Sequence, residues 1–216
     1  MFHDRKAAGR ALAQRLGALD PARSVVLALP RGGVPVAQEV CAHSGAPLDL
    51  ILVRKIGAPG QQELAVGAIA DGGEADPVIN AQVMELCGLS AGEVRDMAKA
   101  EQPELERRRA LYLGARPRLE LAGKTAIIVD DGLATGATMK AAIRAARARQ
   151  AARVVVAVPI GAVDTVAEMQ AEADEVICLE TPSPFWAVGQ GYANFDQVSD
   201  AEVIEAMTAG AAPQQA

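Results

Sequence analysis

The chain has 216 residues, half of them hydrophobic, which is enough for one sizeable core. A net charge of -6 argues against nucleic acid as the main partner, because a surface that binds phosphate backbones is normally basic. Aromatic residues make up only 3%, so aliphatic side chains and alanine must fill the interior. Cys41, Cys87 and Cys178 are odd in number and widely spaced, with only His3 and His43 to join them. Neither a structural zinc site nor a disulfide framework is expected, and reduced thiols in a cytoplasmic protein are the simplest reading. The start, Met1-Phe2-His3-Asp4-Arg5-Lys6, has no apolar stretch of the kind a signal peptide needs, and the apolar runs are too short to cross a membrane.

Residues 4–19 read as an amphipathic helix, with Ala11, Leu12, Leu16 and Leu19 at helical spacing. Val25-Val26-Leu27-Ala28-Leu29 is a buried strand cut off by Pro30-Arg31-Gly32-Gly33, and a helix over 34–43 follows. A second buried strand over 48–53 ends at Arg54-Lys55. Residues 57–62 are flexible and exposed by composition, and 64–70 read as a strand. Residues 80–114 form a helical section rich in Glu and Arg, in which Arg107, Arg108 and Arg109 are expected on a solvated face. Strands over 125–129, 154–158 and 175–179 alternate with helices over 139–150 and 163–171. The tail from 182 to 200 holds most of the aromatics. Apolar strands alternating with helices predict an α/β fold with a mainly parallel twisted sheet covered on both faces. One domain over 1–216 is expected, with a helical insertion at about 80–116 and a small C-terminal hood at about 180–210. Ligands of such sheets bind at the carboxyl ends of the strands, where every unusual loop of this chain falls.

The most informative stretch is Ile127-Ile128-Val129-Asp130-Asp131-Gly132-Leu133-Ala134-Thr135-Gly136-Ala137-Thr138. A buried strand delivers two adjacent carboxylates, and a loop of small residues then opens a helix. Thr135, Gly136, Ala137 and Thr138 offer free backbone N–H groups, which together with the helix dipole suit a phosphate dianion. Gly136 permits close backbone approach, and the two threonine hydroxyls add donors. Asp130 and Asp131 would repel that phosphate and suit hydroxyls or a metal ion instead. A ligand with a phosphate at one end and vicinal hydroxyls nearby, a ribose 5-phosphate, satisfies both halves. The loop lacks the Gly-Lys-Ser/Thr ending of a Walker loop and is not a GxGxxG turn. The bland alternative is a strand-loop-helix in which an Asp serves as N-cap.

This stretch resembles the signature of type I phosphoribosyltransferases, and most closely that of adenine phosphoribosyltransferases, with Ala137 replacing the second glycine of Ala-Thr-Gly-Gly-Thr. Two more loops resemble the family in order and context. Arg31-Gly32-Gly33 is similar to its pyrophosphate loop, where glycines turn N–H groups toward phosphate oxygens and Arg31 adds a charge-assisted contact. Val53-Arg54-Lys55 is similar to the segment before the family's mobile lid, which would give Arg54 and Lys55 to the phosphates of the sugar donor, with Lys55 also catalytic, and place the lid at 56–64 with Glu63 as a catalytic carboxylate. Phe185-Trp186-Ala187-Val188-Gly189 resembles the aromatic-Val-Val-Gly segment of hypoxanthine-type enzymes, whose aromatic stacks on the base. Trp186 fills that register, with Phe185 as its neighbour, and either side chain could equally pin the tail to the core.

The resemblance implies transfer of ribose 5-phosphate from 5-phosphoribosyl-1-pyrophosphate to a nitrogen acceptor, a nucleobase in most of the family. Mg²⁺ would ride mainly on pyrophosphate and water, with Asp130 and Asp131 within reach of ribose hydroxyls or metal. Lys55 would add charge at the pyrophosphate end. Hypoxanthine and guanine enzymes carry an Asp where this chain has Ala134, so a 6-oxopurine acceptor is disfavoured. Family members are often dimers, and residues 80–114 are the segment that would supply an interface. Neither a nucleic-acid nor a membrane partner is expected. Two further readings stay open: a regulator that binds the same ligand without transfer, and an unrelated α/β phosphatase using Asp130 or Asp131 as nucleophile.

Overall fold

The structure is a computed structural model and describes residues 1–72 and 76–209. In chain order the elements are α1 (Arg5–Leu16), β1 (Ser24–Ala28), α2 (Gly33–Ser44), β2 (Leu48–Leu50), β3 (Val53–Ala58), β4 (Gln61–Ala70), β5 (Val78–Ile79), α3 (Ala81–Leu86), α4 (Ala91–Leu113), β6 (Thr125–Val129), α5 (Ala137–Ala148), β7 (Arg153–Ile160), α6 (Val163–Glu172), β8 (Glu175–Glu180) and α7 (Asp200–Ala209). The main sheet is five-stranded and all parallel, in the order β2-β1-β6-β7-β8. Alternate residues of its strands serve different layers. Val26, Ala28, Ile127, Val129, Val155 and Ala157 face α1, α2, α4 and α7. Val25, Leu27, Ala126, Ile128, Val154 and Val156 face α5 and α6. Because both faces are covered, these strands read as unbroken apolar runs rather than as an alternating pattern.

A second, three-stranded antiparallel sheet, β3-β4-β5, was not legible in the strand pattern. The expected strand over 48–53 is in fact two: β2 ends at Leu50, and the chain leaves the main sheet to start β3 at Val53. Residues 57–62 carry the hairpin turn, with Ala58 paired to Gln61 across Pro59-Gly60. Gly60 has φ +76, and a proline followed by a glycine of positive φ is ordinary turn chemistry. The hairpin rests on α5 through Val53, Ala68, Ala70, Val78 and Ala141. The tail also holds a helix, α7, opened by reciprocal bonds in which Glu202 N donates to Ser199 Oγ at 3.2 Å and Ser199 N to Glu202 Oε2 at 2.7 Å.

The arginine triplet corrects one expectation. Arg107 and Arg108 lie on the exposed face of α4 beside Glu104, but Arg109 turns inward with a side chain 6% exposed. It continues the buried stripe of Val94, Ala98, Leu105 and Tyr112, whose spacings of three, four and seven residues return to one helical face. Its guanidinium donates to both oxygens of Asp49 (2.9 and 3.2 Å), to Asp71 Oδ2 (3.1 Å) and to the Leu50 carbonyl (3.3 Å). Arg118 also donates to Asp71 Oδ2, at 3.3 Å. Asp71 in turn closes the base of the hairpin: its N–H donates to the Leu52 carbonyl at 2.8 Å, and its Oδ1 accepts from Leu52 N at 2.7 Å. The hairpin thus leaves and rejoins the body through a buried ionic hinge.

Candidate functional site

Since the main strands are parallel, the loops after β1, β2, β6, β7 and β8 share one rim. At its centre the loop after β1 lies against the loop after β6. A methyl group added at Gly32 would stand 1.9 Å from Asp131 Oδ2, and one at Gly33 would stand 2.6 Å from the Val129 carbonyl. Only glycine permits that approach, so the two loops singled out in the sequence form a single surface. The Pro30–Arg31 peptide is cis.

Asp130 Oδ1 accepts the Asp131 N–H at 2.8 Å. Burial pushes the Asp130 carboxyl well above the usual carboxylate range, and the neighbouring Asp131 charge adds to the effect. Burial also raises Asp131, against the opposing pull of Arg5. Arg5 was not foreseen as part of this site. Its Nε donates to Asp131 Oδ2 at 2.8 Å and its Nη1 to the Asp196 carbonyl at 2.6 Å, while the guanidinium lies 3.9 Å from the Phe195 ring centre. Tyr192 Oη donates to the Asp131 carbonyl at 2.5 Å. The start of α1 and the strap over 192–196 therefore brace the carboxylate pair. A lone arginine in a polar N-terminal turn gives no local signal of this role, since its partner is 126 residues away.

Beyond the carboxylates, Leu133 N donates to the Ile160 carbonyl at 2.8 Å, and Thr165 Oγ1 donates to the Ala134 carbonyl at 2.6 Å. These bonds hold the loop while leaving its N–H groups to the start of α5. Gly136 is the N-cap, with φ +74, and no side chain caps the helix. The first-turn donors at Ala137 and Thr138 thus have no partner within the helix. Gly132 packs beneath Val188, where an added methyl would stand 2.4 Å from Cγ1. Leu133, Ala134, Thr135, Gly136, Ala137 and Thr138 accordingly line one continuous turn with Asp130 and Asp131 at its head.

The hairpin divides the remaining candidates by strand alternation. Lys55 faces the turn before α5 and lines a cavity of about 640 Å³ that also reaches Thr135 and Ala137. Arg54 faces the other way, onto α4, where it pairs with Glu101 and lies 3.9 Å from Glu104 Oε1. Arg31 lines a separate cavity of about 290 Å³ with Leu52, Val53, Arg108, Tyr112 and Asp200. The side chain of Glu63 lies outside the described residues. Phe185 packs beside Phe2, Val188 and Tyr192, whereas Trp186 stands 81% exposed in solvent. A further cavity of about 600 Å³ opens at the opposite rim, around Ser24, Thr125 and Glu175, and is remote from all these loops. Among the described residues no three His, Cys, Asp or Glu side chains converge as a metal cage, and no helix is long and apolar enough to cross a membrane.

The phosphoribosyl transferase domain model matches residues 2–194. The chain belongs to that family. A relative found in two strains of Mycobacterium tuberculosis is 52% identical over 204 residues, covering 94% of this chain, and its own description as a phosphoribosyl transferase is provisional. The chain spans 46% of that relative's length. A crystal structure from Thermus thermophilus is 39% identical, with a TM-score of 0.82 over 98% of this chain and 99% of the other. A Neisseria gonorrhoeae protein crystallised with bound ppGpp is 15% identical, with a TM-score of 0.52 over 97% of this chain and 98% of that one, and shares the fold. Membership of the phosphoribosyl transferase family accounts for the mixed α/β architecture.

Proposed function

We propose that this chain binds 5-phosphoribosyl-1-pyrophosphate at the joined loops after β1 and β6 and transfers its ribose 5-phosphate to a nitrogen acceptor. The observation that carries the reading is the contact of Gly32 with Asp131, which sets two phosphate-type loops on either side of a carboxylate pair. The turn from Gly132 to Thr138 would hold the 5-phosphate with backbone N–H groups at the start of α5. Asp130 and Asp131 would accept from the ribose hydroxyls. Arg5 would aim the Asp131 carboxylate and offset part of the cost of its charge, and the loop over Arg31, Gly32 and Gly33 would take the pyrophosphate.

In the reaction the bond from the anomeric carbon to the pyrophosphate oxygen breaks, and its electron pair leaves with pyrophosphate. The acceptor nitrogen supplies the pair for the new bond, and its proton passes to water or to the departing pyrophosphate. Positive charge builds on the ribose in between, where the nearby carboxylates stabilise it. Lys55, on the hairpin face toward the phosphate turn, would add charge to the leaving side when the hairpin closes. The donor set suits Mg²⁺ arriving on pyrophosphate, because phosphate oxygens and water would supply most of its ligands, with Asp130 and Asp131 as protein carboxylates in reach. That ion would neutralise leaving-group charge. Arg54 is better placed to hold the hairpin against α4 than to meet phosphate. Trp186, open to solvent beyond the rim, is the aromatic available to an incoming base.

A screen for pyrophosphate release with Mg²⁺ and single nucleobases tests the reading. Release with one base identifies the acceptor, and Ala134 leads us to expect a base other than a 6-oxopurine. Binding of the sugar donor without release for any acceptor would favour a regulator.

A further inference from the structure

Three parts of the chain meet around the 290 Å³ cavity beside the loop after β1. Pro30 and Arg31 belong to that loop, and Leu52 and Val53 mark the point where the hairpin leaves the sheet. The rest of the wall is Arg108 and Tyr112 from α4 and Asp200 from the start of α7, none of which has a part in the site described so far. Two guanidinium groups and one carboxylate thus share a small polar chamber at the pyrophosphate end of the rim.

The bonding inside the chamber is uneven. Asp200 Oδ1 accepts from Tyr112 Oη at 2.6 Å and lies 3.7 Å from Arg31 Nη1. Burial and the Asp200 bond push the Tyr112 hydroxyl up to about 12, so it remains a donor at neutral pH. Arg108 Nε has Glu104 Oε1 at 3.5 Å, and its side chain is 48% exposed. Exposed pairs of that kind are weak and exchange readily. One carboxylate oxygen therefore stands where an oxygen of a bound anion would stand, between a tyrosine hydroxyl and the Arg31 guanidinium, with a second guanidinium on the same wall.

We infer that Arg108 joins Arg31 in a two-guanidinium clamp for the pyrophosphate group, and that Asp200 is the internal anion this group displaces. The inference rests on the phosphoribosyl reading and gives the helical insertion a part in it. Pyrophosphate carries more charge and more acceptor oxygens than one carboxylate, so it gains more from two planar guanidiniums. Once Asp200 yields, the Tyr112 hydroxyl is free to donate to a phosphate oxygen.

The test is calorimetric titration of the full chain with inorganic pyrophosphate, and separately with ribose 5-phosphate, in Mg²⁺ buffer. Wild type is compared with Arg108→Gln and Asp200→Asn. Gln keeps the helix propensity of Arg, and both positions are partly exposed, so the fold should survive. Arg108→Gln is expected to weaken pyrophosphate about tenfold and leave ribose 5-phosphate unchanged. Asp200→Asn is expected to tighten pyrophosphate severalfold. Equal pyrophosphate affinity in wild type and Arg108→Gln, or parallel loss of both ligands, overturns the clamp while ribose 5-phosphate binding by the wild type still supports the parent reading. A wild type that binds neither ligand overturns the parent reading and the clamp with it.

Discussion

Asp130 is held where its charge is disfavoured, and this makes the site costly to the fold. Its carboxyl titrates well above 3.8, the value it returns to when the chain unfolds. Below pH 3.8 both states are protonated and no penalty exists. As pH rises, the unfolded chain releases this proton first, so the native state loses up to about 1.4 kcal/mol per pH unit until the folded carboxyl also ionises. Asp130→Asn removes that loss while keeping an acceptor for the Asp131 N–H. The variant should melt at a higher temperature than wild type at neutral pH, with the gap closing toward pH 3.8. Thermal melts across pH 3 to 8 check this, and coincident curves would contradict it. The same variant should bind ribose 5-phosphate less well, since function and stability pull against each other at such sites. At Gly32 the constraint is steric. A methyl group there would stand 1.9 Å from Asp131 Oδ2 and drive the two loops apart. Gly32→Ala should leave the fold intact and lower turnover on the order of a hundredfold, the scale of a displacement near 1 Å at reacting groups; steady-state assays would show it. Asp130, Asp131, Gly32 and Gly136 were legible in the sequence because each shapes a local turn. Arg5, Tyr192 and Phe195 were not, because they act on the pair only through contacts the fold brings about.

At the scale of elements, the hairpin of β3 and β4 depends on the hinge beneath it. Asp49, Asp71 and Arg109 are buried together, and Asp71 ties the two ends of the hairpin through Leu52. Arg109→Met would leave two buried carboxylates without their main partner. A loss of about 3–5 kcal/mol is expected, read by urea unfolding. Asp71→Asn is milder. It should speed amide exchange over residues 53–70 while leaving β6 and β7 at wild-type protection, and uniform acceleration would contradict the hinge. The sequence carried part of this. Pro59-Gly60 is a turn signal inside a stretch otherwise read as a flexible loop, and Asp49 is a charge inside an apolar run, which calls for a buried partner. That the partner is Arg109 could not be read locally, since triplet 107–109 looks alike along the chain and only helical rotation separates its members.

For the whole molecule, the parallel order of five strands turns scattered loops into one rim. That much followed from alternating apolar strands and helices, and the fold class and the central turn were legible for the same reason. The division of labour around the rim was not. It depends on strand alternation that sends Lys55 toward the turn before α5 and Arg54 toward α4, and on the start of α1 and the strap over 192–196 meeting over Asp131. The central claim is that the joined loops after β1 and β6 bind an activated ribose phosphate. It is tested most directly by calorimetric titration with 5-phosphoribosyl-1-pyrophosphate and Mg²⁺, for wild type and for the Asp130→Asn, Asp131→Asn double variant. The account predicts saturable binding to the wild type that falls at least about tenfold in the double variant. Absence of binding to the wild type, or equal binding to both proteins, would contradict it.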